Sequence, residues 1–451
     1  MQIKLSPVIF LLLVFNWLAA QEKPIAIVGG TIIDVANYGN SNNDIPNSVV
    51  IIQHGKILAA GTANKTKIPP NATVIHAENK YIVPGLIDCF SVIGTQGQAN
   101  SHLYYGVTTV VAGPGDDRRK GFLPNGHPSP HIKLLAIIPN DDLEDELEKK
   151  GTLTAEGIAK VNLEIDHIDS MKKAGVRTIL LQHMFPEELI PKMVAQCNKY
   201  GISTIGEIQY AHYDAGLKAG INSFVHTSRY IMGAFPDSVF LSTRNELDSV
   251  ANKRFGRYLA KLNADTDPAF NNYARTIASS HTALMPTLAM LYSSMPDHQN
   301  IWKEPGAYLT DPKDVFLPMD TATGKSTSWI SAKSANRQVA FEKAFIKAGD
   351  HYITGSGADA FGTLPGISEH IEIQMLHRYG LTNRQALAAA TDNPSNFNQW
   401  GNIGLIAKGR DADILVLSAN PLDDLENLKK IEQLLVGGKL IDRKSLLNLL
   451  K

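Results

Sequence analysis

From residue 84 to about residue 400, short apolar runs alternate with helix-like segments, and few folds accept that rhythm over such a length. YGVTTVVAG, VRTILLQHM, GISTIGEI, INSFVHTS and HYITGSG read as strands rich in β-branched residues. Helical stretches such as 187–200 and 383–391 lie between them. The second begins after Thr382 and carries Gln385 three residues on, a capping-box pattern, and Asn393-Pro394 is expected to stop it. Strands separated by helices run parallel. A closed (β/α)8 barrel is therefore the first expectation and an open doubly wound sheet the second.

The two ends share a different texture. IAIVGGTIIDV, SVVIIQHGKILAAG and ATVIHAENKYIV near the start, and NIGLIAKGRDADILVLS and IEQLLVGGKLIDR near the finish, are β-rich runs broken by Gly, Asn and Lys. The reading is an α/β protein: a (β/α)8 barrel over 84–403, with a flanking β-sandwich built from both chain ends, 21–83 and 404–451.

Charge excludes some function classes. A formal net charge of −1 offers no attraction for nucleic acid or anionic membrane. MQIKLSPVIFLLLVFNWLAAQ has one lysine, an apolar run from Val8 to Phe15 and small residues at Ala19-Ala20, the layout of a secretory signal over 1–20. That run is too short to span a bilayer, so the mature protein is expected to be exported, periplasmic or secreted, with no membrane span. Cys89 and Cys197 are the only cysteines, and buried free thiols are favoured over a disulfide. Residues 292–328 are polar and without periodicity, suited to a lid or to a plain surface insertion. GSGADAFG at 355–362 reads as a strand-end turn, and DDLEDELEKK at 141–150 as a solvated charged face.

VPGLIDCFSVIG, residues 83–94, places Asp88, Phe90 and Val92 on alternate positions, hence on one face of a strand. PGLID at 84–88 is succeeded in order by GVTTV at 106–110, AGINSFVH at 219–226, PTL at 286–288, LTNRQALAAATDNPS at 381–395 and GLIAKGRDADILVLSANPLDDL at 404–425. Together these motifs resemble the amidohydrolase superfamily, specifically its imidazolonepropionase-like branch, over nearly the whole mature chain. The resemblance implies the same barrel and sandwich. It also implies metal-assisted hydrolysis of non-peptide C–N bonds such as those of cyclic amides. One or two divalent metals at the C-terminal mouth of the barrel would lower the pKa of bound water and polarise the scissile carbonyl.

The chain departs from that pattern where the ligands belong. The two strand-1 histidine positions are Phe90 and Val92, which have no lone pair to donate. The strand-4 lysine position aligns with Leu180, and the strand-5 histidine position falls at Gly206 beside Glu207. His226 keeps the strand-6 histidine. The strand-8 aspartate position reads Gly357, with Asp359 two residues later. His183, His212 and His281 are expected as surface or hydrogen-bonded core residues. His370 and Glu372 are expected to support the barrel mouth.

Two readings of function come from this. In the first, the metal site is lost, and the protein acts as a small-molecule-binding protein, a homo-oligomer or the partner of an active amidohydrolase. Phe90, Val92, Leu180, Gly206 and Gly357 then line the former ligand positions, and no cofactor is implied. In the second, a rearranged mononuclear, zinc-like site of His226, Glu207 and Asp359 keeps hydrolysis going.

Overall fold

A computed structural model describes residues 22–113, 126–150, 153–244, 256–315, 319–326, 331–349, 351–358, 360 and 362–448. The predicted signal segment and Asp359 lie outside these described residues.

The N-terminal strands are β1 (Ile25–Val28), β2 (Thr31–Ile32), β3 (Ser48–Gln53), β4 (Lys56–Thr62), β5 (Thr73–His76) and β6 (Tyr81–Pro84). The barrel strands come next: β7 (Leu86–Ser91), β8 (Val107–Ala112), β9 (His131–Ile138), β10 (Val176–Leu181), β11 (Ser203–Gly206), β12 (Ser223–Val225) and β13 (Ala283–Met285). These seven form one parallel sheet in sequence order. Residues 352–355 close it. Tyr352 bridges Leu284 in parallel, Ile353 N donates to Leu284 O, and Cys89 N donates to Thr354 O. The last two bonds tie the eighth segment to both β13 and β7.

Side chains alternate across the barrel wall as the pleat requires. Ile87, Val111, Leu135, Leu180, Ile205 and Met285 pack in one inner cluster. Val110, Ile179, Leu181, Phe224 and Leu284 face outward into the layer of helices. Cys89 and Cys197 are both buried and unpaired. The helix Asn383–Ala389 carries the full capping box between Thr382 and Gln385. Asn393-Pro394 does not end the helical run, however. Both residues sit in the first turn of the next helix, Asp392–Phe397, where a missing N–H costs nothing.

A small hairpin, β14 (Met319–Asp320) and β15 (Lys325–Ser326), belongs to the 292–328 segment. The C-terminal strands are β16 (Ile414–Leu417), β17 (Ile431–Val436) and β18 (Lys439–Ile441). One sheet runs β4-β3-β1-β5 and the other β18-β17-β16-β6-β2. The second sheet mixes the two chain ends, because β16 pairs antiparallel with β6. Ile27, Val50, Ile82, Ile414, Val416 and Leu435 share one buried cluster, so neither end has a complete core alone.

Candidate functional site

The segments leaving the C-terminal ends of β10, β11 and β12 organise the mouth of the barrel. Gly206 ends β11, and its N–H/C=O ladder continues for one residue, since Glu207 N donates to Leu181 O. A side chain at 206 would meet the Phe224 ring at 2.8 Å, on the helix-facing side. Gly206 therefore faces outward and does not line the pocket. Glu207 is the residue that β11 delivers to the mouth.

Three cationic or nitrogen-bearing side chains surround that carboxylate. His183 Nε2 lies 2.8 Å from Glu207 Oε1, His226 Nε2 3.6 Å and Arg229 Nε 3.5 Å from the same oxygen. Burial pushes the Glu207 carboxyl up, but His183, His226 and Arg229 outweigh it and hold the group well below the usual carboxylate range. Burial also works against a charge on His183, yet Glu207 and Glu148 win there and raise the imidazole to about 9. For His226 burial prevails and lowers it to about 4, so this ring is neutral near pH 7.

The tautomer of His226 is set by its neighbours. Thr287 Oγ1 donates its one proton to Pro286 O at 2.6 Å, so it accepts from His226 Nδ1 at 2.7 Å. Nε2 then carries the lone pair, pointed toward Glu207. Both His226 and Thr287 have positive φ, 63° and 54°. Such backbone costs about 1–3 kcal/mol per residue and gathers at functional sites.

Around the remaining positions singled out in the sequence, apolar atoms predominate. β7 carries a bulge: Asp88 pairs with Val110 and Ser91 with Ala112, three residues against two. As a result Cys89 and Phe90, which are consecutive, both pack into the inner cluster. Strict alternation through Asp88, Phe90 and Val92 is thus broken. Asp88 turns instead to Ser356, accepting from its N–H at 2.9 Å and its hydroxyl at 2.6 Å. The Phe90 ring stands edge-on to His226 at 5.3 Å. Val92 is buried, with its carbonyl 3.0 Å from His102 Nε2. Leu180 sits in the inner cluster, below the mouth. A side chain at Gly357 would meet Met290 Sδ at 2.5 Å, and one at Gly355 would meet Met285 Sδ at 2.6 Å.

A pocket of about 110 Å³ opens beside this cluster, lined by Glu207, His226, Thr227, Arg229, Met290 and Gln338 among others. A larger cleft of about 770 Å³ lies elsewhere, where the 292–328 segment packs on the helix Gln96–Tyr104. It shares no lining residue with the pocket at Glu207.

The other predicted histidines lie apart. His212 Nδ1 is 2.7 Å from Glu187, His281 stacks near Phe397, and buried His370 Nε2 is 2.7 Å from Tyr105 O. Glu372 accepts from Ala289 N at 2.7 Å, which braces the helix start after β13. Sequence reasoning missed the helix Asp141–Lys150 altogether. It is not a purely solvated face: Glu144 is 5% exposed and accepts from Met184 N at 2.9 Å.

Residues 269–441 match the family model described as the amidohydrolase family. The match runs from the helix Pro268–Ala278 through β13 to β18, the C-terminal part of the chain. Among solved structures it is similar to a protein described as a prolidase from Bifidobacterium longum, at 19% identity, with 94% of this chain and 98% of that one covered and a TM-score of 0.60. A Xaa-Pro dipeptidase with methionine bound in its active site gives 15% identity, 93% and 100% coverage and a TM-score of 0.61. An ochratoxinase from A. niger gives 17% identity, 93% and 95% coverage and a TM-score of 0.59. At these identities the likeness establishes the fold alone. No curated protein matches the sequence.

Proposed function

We propose that this amidohydrolase-superfamily protein is exported and has given up metal-assisted C–N hydrolysis at the barrel mouth, serving instead as a small-molecule-binding protein or as the partner of an active amidohydrolase. The observation that carries this reading is Phe90, whose ring packs edge-on against His226 where the family would place a strand-1 imidazole. A metal at the mouth needs three or four N, O or S donors converging at about 2.0–2.3 Å. Around His226 the neighbours are a phenyl ring, the Met285 and Met290 sulfurs near the two glycines, and a carboxylate already paired with His183 and Arg229. That donor set does not fit the family's metal. What the pocket retains is a guanidinium, a carboxylate and a neutral imidazole around about 110 Å³. These suit a small polar ligand.

One observation favours the other reading, an active hydrolase of C–N bonds with a rearranged mononuclear site. His226 presents a bare Nε2 toward Glu207, the posture of a ligand or a general base. A panel of N-acyl amino acids, cyclic amides and Xaa-Pro dipeptides, assayed with and without Zn²⁺ or Mn²⁺, separates the two. The proposal expects no turnover above blank. Turnover that disappears in His226→Ala would replace it with the hydrolase reading.

A further inference from the structure

We propose that the protein carries a divalent-cation site away from the family's metal position, held by Glu144 and Glu148 of the helix Asp141–Lys150 and by His183 just past β10.

Glu144 and Glu148 are four residues apart, so one helical face presents both carboxylates. His183 Nδ1 lies 3.9 Å from Glu144 Oε1 and 3.5 Å from Glu148 Oε1. One donor atom from each of the three residues falls within 4.8 Å of the others. Among the described residues this is the only such group of three. Neither Glu207 nor His226 belongs to it.

Two further observations point to a ligand rather than to a chance ion pair. Glu144 is 5% exposed, and while its Oε1 accepts from Met184 N, its Oε2 is buried with no hydrogen-bond partner. An unsatisfied buried carboxylate oxygen is costly, and a cation bound by this carboxylate would offset that cost. The other observation concerns His183, whose two nitrogens divide their tasks. Nε2 faces Glu207 at 2.8 Å, which holds a proton there and leaves Nδ1 facing the two glutamates. Metal-binding imidazoles are oriented in this way by a carboxylate on the far nitrogen. Glu207 thus becomes a positioning residue for the new site. Arg229 is directed at that carboxylate and at Gln209.

One imidazole nitrogen and two carboxylates suit Zn²⁺ or Mn²⁺ better than Ca²⁺, which takes six to eight oxygens. The Glu148 side chain is 41% exposed, so the site opens to solvent on that side, and water can complete the coordination. His183 touches the barrel-mouth cluster through Nε2 alone, and the site at its Nδ1 stands whether or not the mouth hydrolyses anything.

Equilibrium dialysis of the full chain against micromolar Zn²⁺ and, separately, Mn²⁺, with elemental analysis afterwards, tests it. The expected result is about one equivalent bound, with Kd weakened roughly 10-fold or more in Glu148→Gln and in Glu144→Gln, and unchanged in His226→Ala. The ion should also raise the melting temperature of the parent and of His226→Ala, but not of the two glutamine variants. Glu148→Gln alters a solvent-facing side chain, so it keeps the test informative if Glu144→Gln fails to fold. No bound ion in the parent, or an ion held equally well by Glu148→Gln, would overturn the proposal. So would an ion lost in His226→Ala, and that result would send it back to the barrel mouth.

Discussion

If Met290 fills the place where a strand-8 carboxylate would stand, restoring that carboxylate should cost stability in two separable parts. Gly357 has φ +62°, so Gly357→Asp forces a side-chain-bearing residue into the left-handed region, at about 1 kcal/mol. Its Cβ would also come within 2.5 Å of Met290 Sδ and 2.7 Å of Met290 Cγ. Met290 is only partly buried and can swing aside, which puts the overpacking at the low end of its range, about 1 kcal/mol. The single variant should therefore lose roughly 2 kcal/mol. In a Met290→Ala background the backbone part persists and the steric part vanishes. A double-mutant cycle by urea unfolding should then give a coupling of about 1 kcal/mol, above the ~0.5 kcal/mol within which independent sites add. A coupling inside that margin, or a Gly357→Asp variant as stable as the parent, would show that the mouth has not been repacked around Met290.

Phe90→His with Val92→His should lower stability by a few kcal/mol, because two polar rings replace buried apolar groups. Measured in a Glu148→Gln background, its melting temperature should rise with Zn²⁺ by less than a true three-histidine site would give, since the bulge at 88–91 breaks the alternation that would aim both rings inward. Glu207→Gln should cost about 3 kcal/mol at pH 7 by leaving paired groups uncompensated. Glu207's folded pKa is depressed from 4.5, so its contribution is present above that pH and lost as pH falls further; the deficit should shrink in acid. Asp88 runs the opposite way: burial raises it from 3.8 to about 6, so the native state binds its proton more tightly than the unfolded chain does. Its share of stability should grow on the order of 3 kcal/mol as pH falls from above 6 to about 4, and Asp88→Asn should remove that slope from pH-dependent urea curves. Deleting 404–451 removes the strand that pairs with β6, and limited proteolysis should then cut within 22–83.

The fold was legible because it rests on period and order. Alternating strand and helix texture over 84–400 specified parallel pairing, and the matching texture of the ends specified a composite sheet, which β16 and β6 form. The capping box at Thr382 was readable for the same local reason. The site was less legible, because it depends on where strands stop and on what fills the space beside them. A bulge cannot be seen in CFS, yet it turns Phe90 inward and Asp88 toward Ser356. Gly206 matched a ligand position by count, but Phe224 occupies the space its side chain would need. The helix Asp141–Lys150 did carry a usable signal: Leu143 and Leu147, both buried, recur at helical spacing. Glu144 and Glu148 each come directly after one of them, which places those carboxylates at the edge of the buried stripe rather than on the solvated face.

Glu207 bears on both proposals, the loss of metal at the mouth and the cation site at His183 Nδ1. A cation at the barrel mouth would compete for Glu207 Oε1 with His183, His226 and Arg229, all of which already face it. Loosening those partly buried pairs costs stability, and His226 Nε2 is the imidazole nitrogen that the mouth offers a cation in return. A cation between Glu144, Glu148 and His183 leaves those pairs in place, because it uses the nitrogen that Glu207 does not. The Glu207–His183 contact proposed to disfavour a cation at the mouth is therefore the one that turns His183 Nδ1 toward the two glutamates.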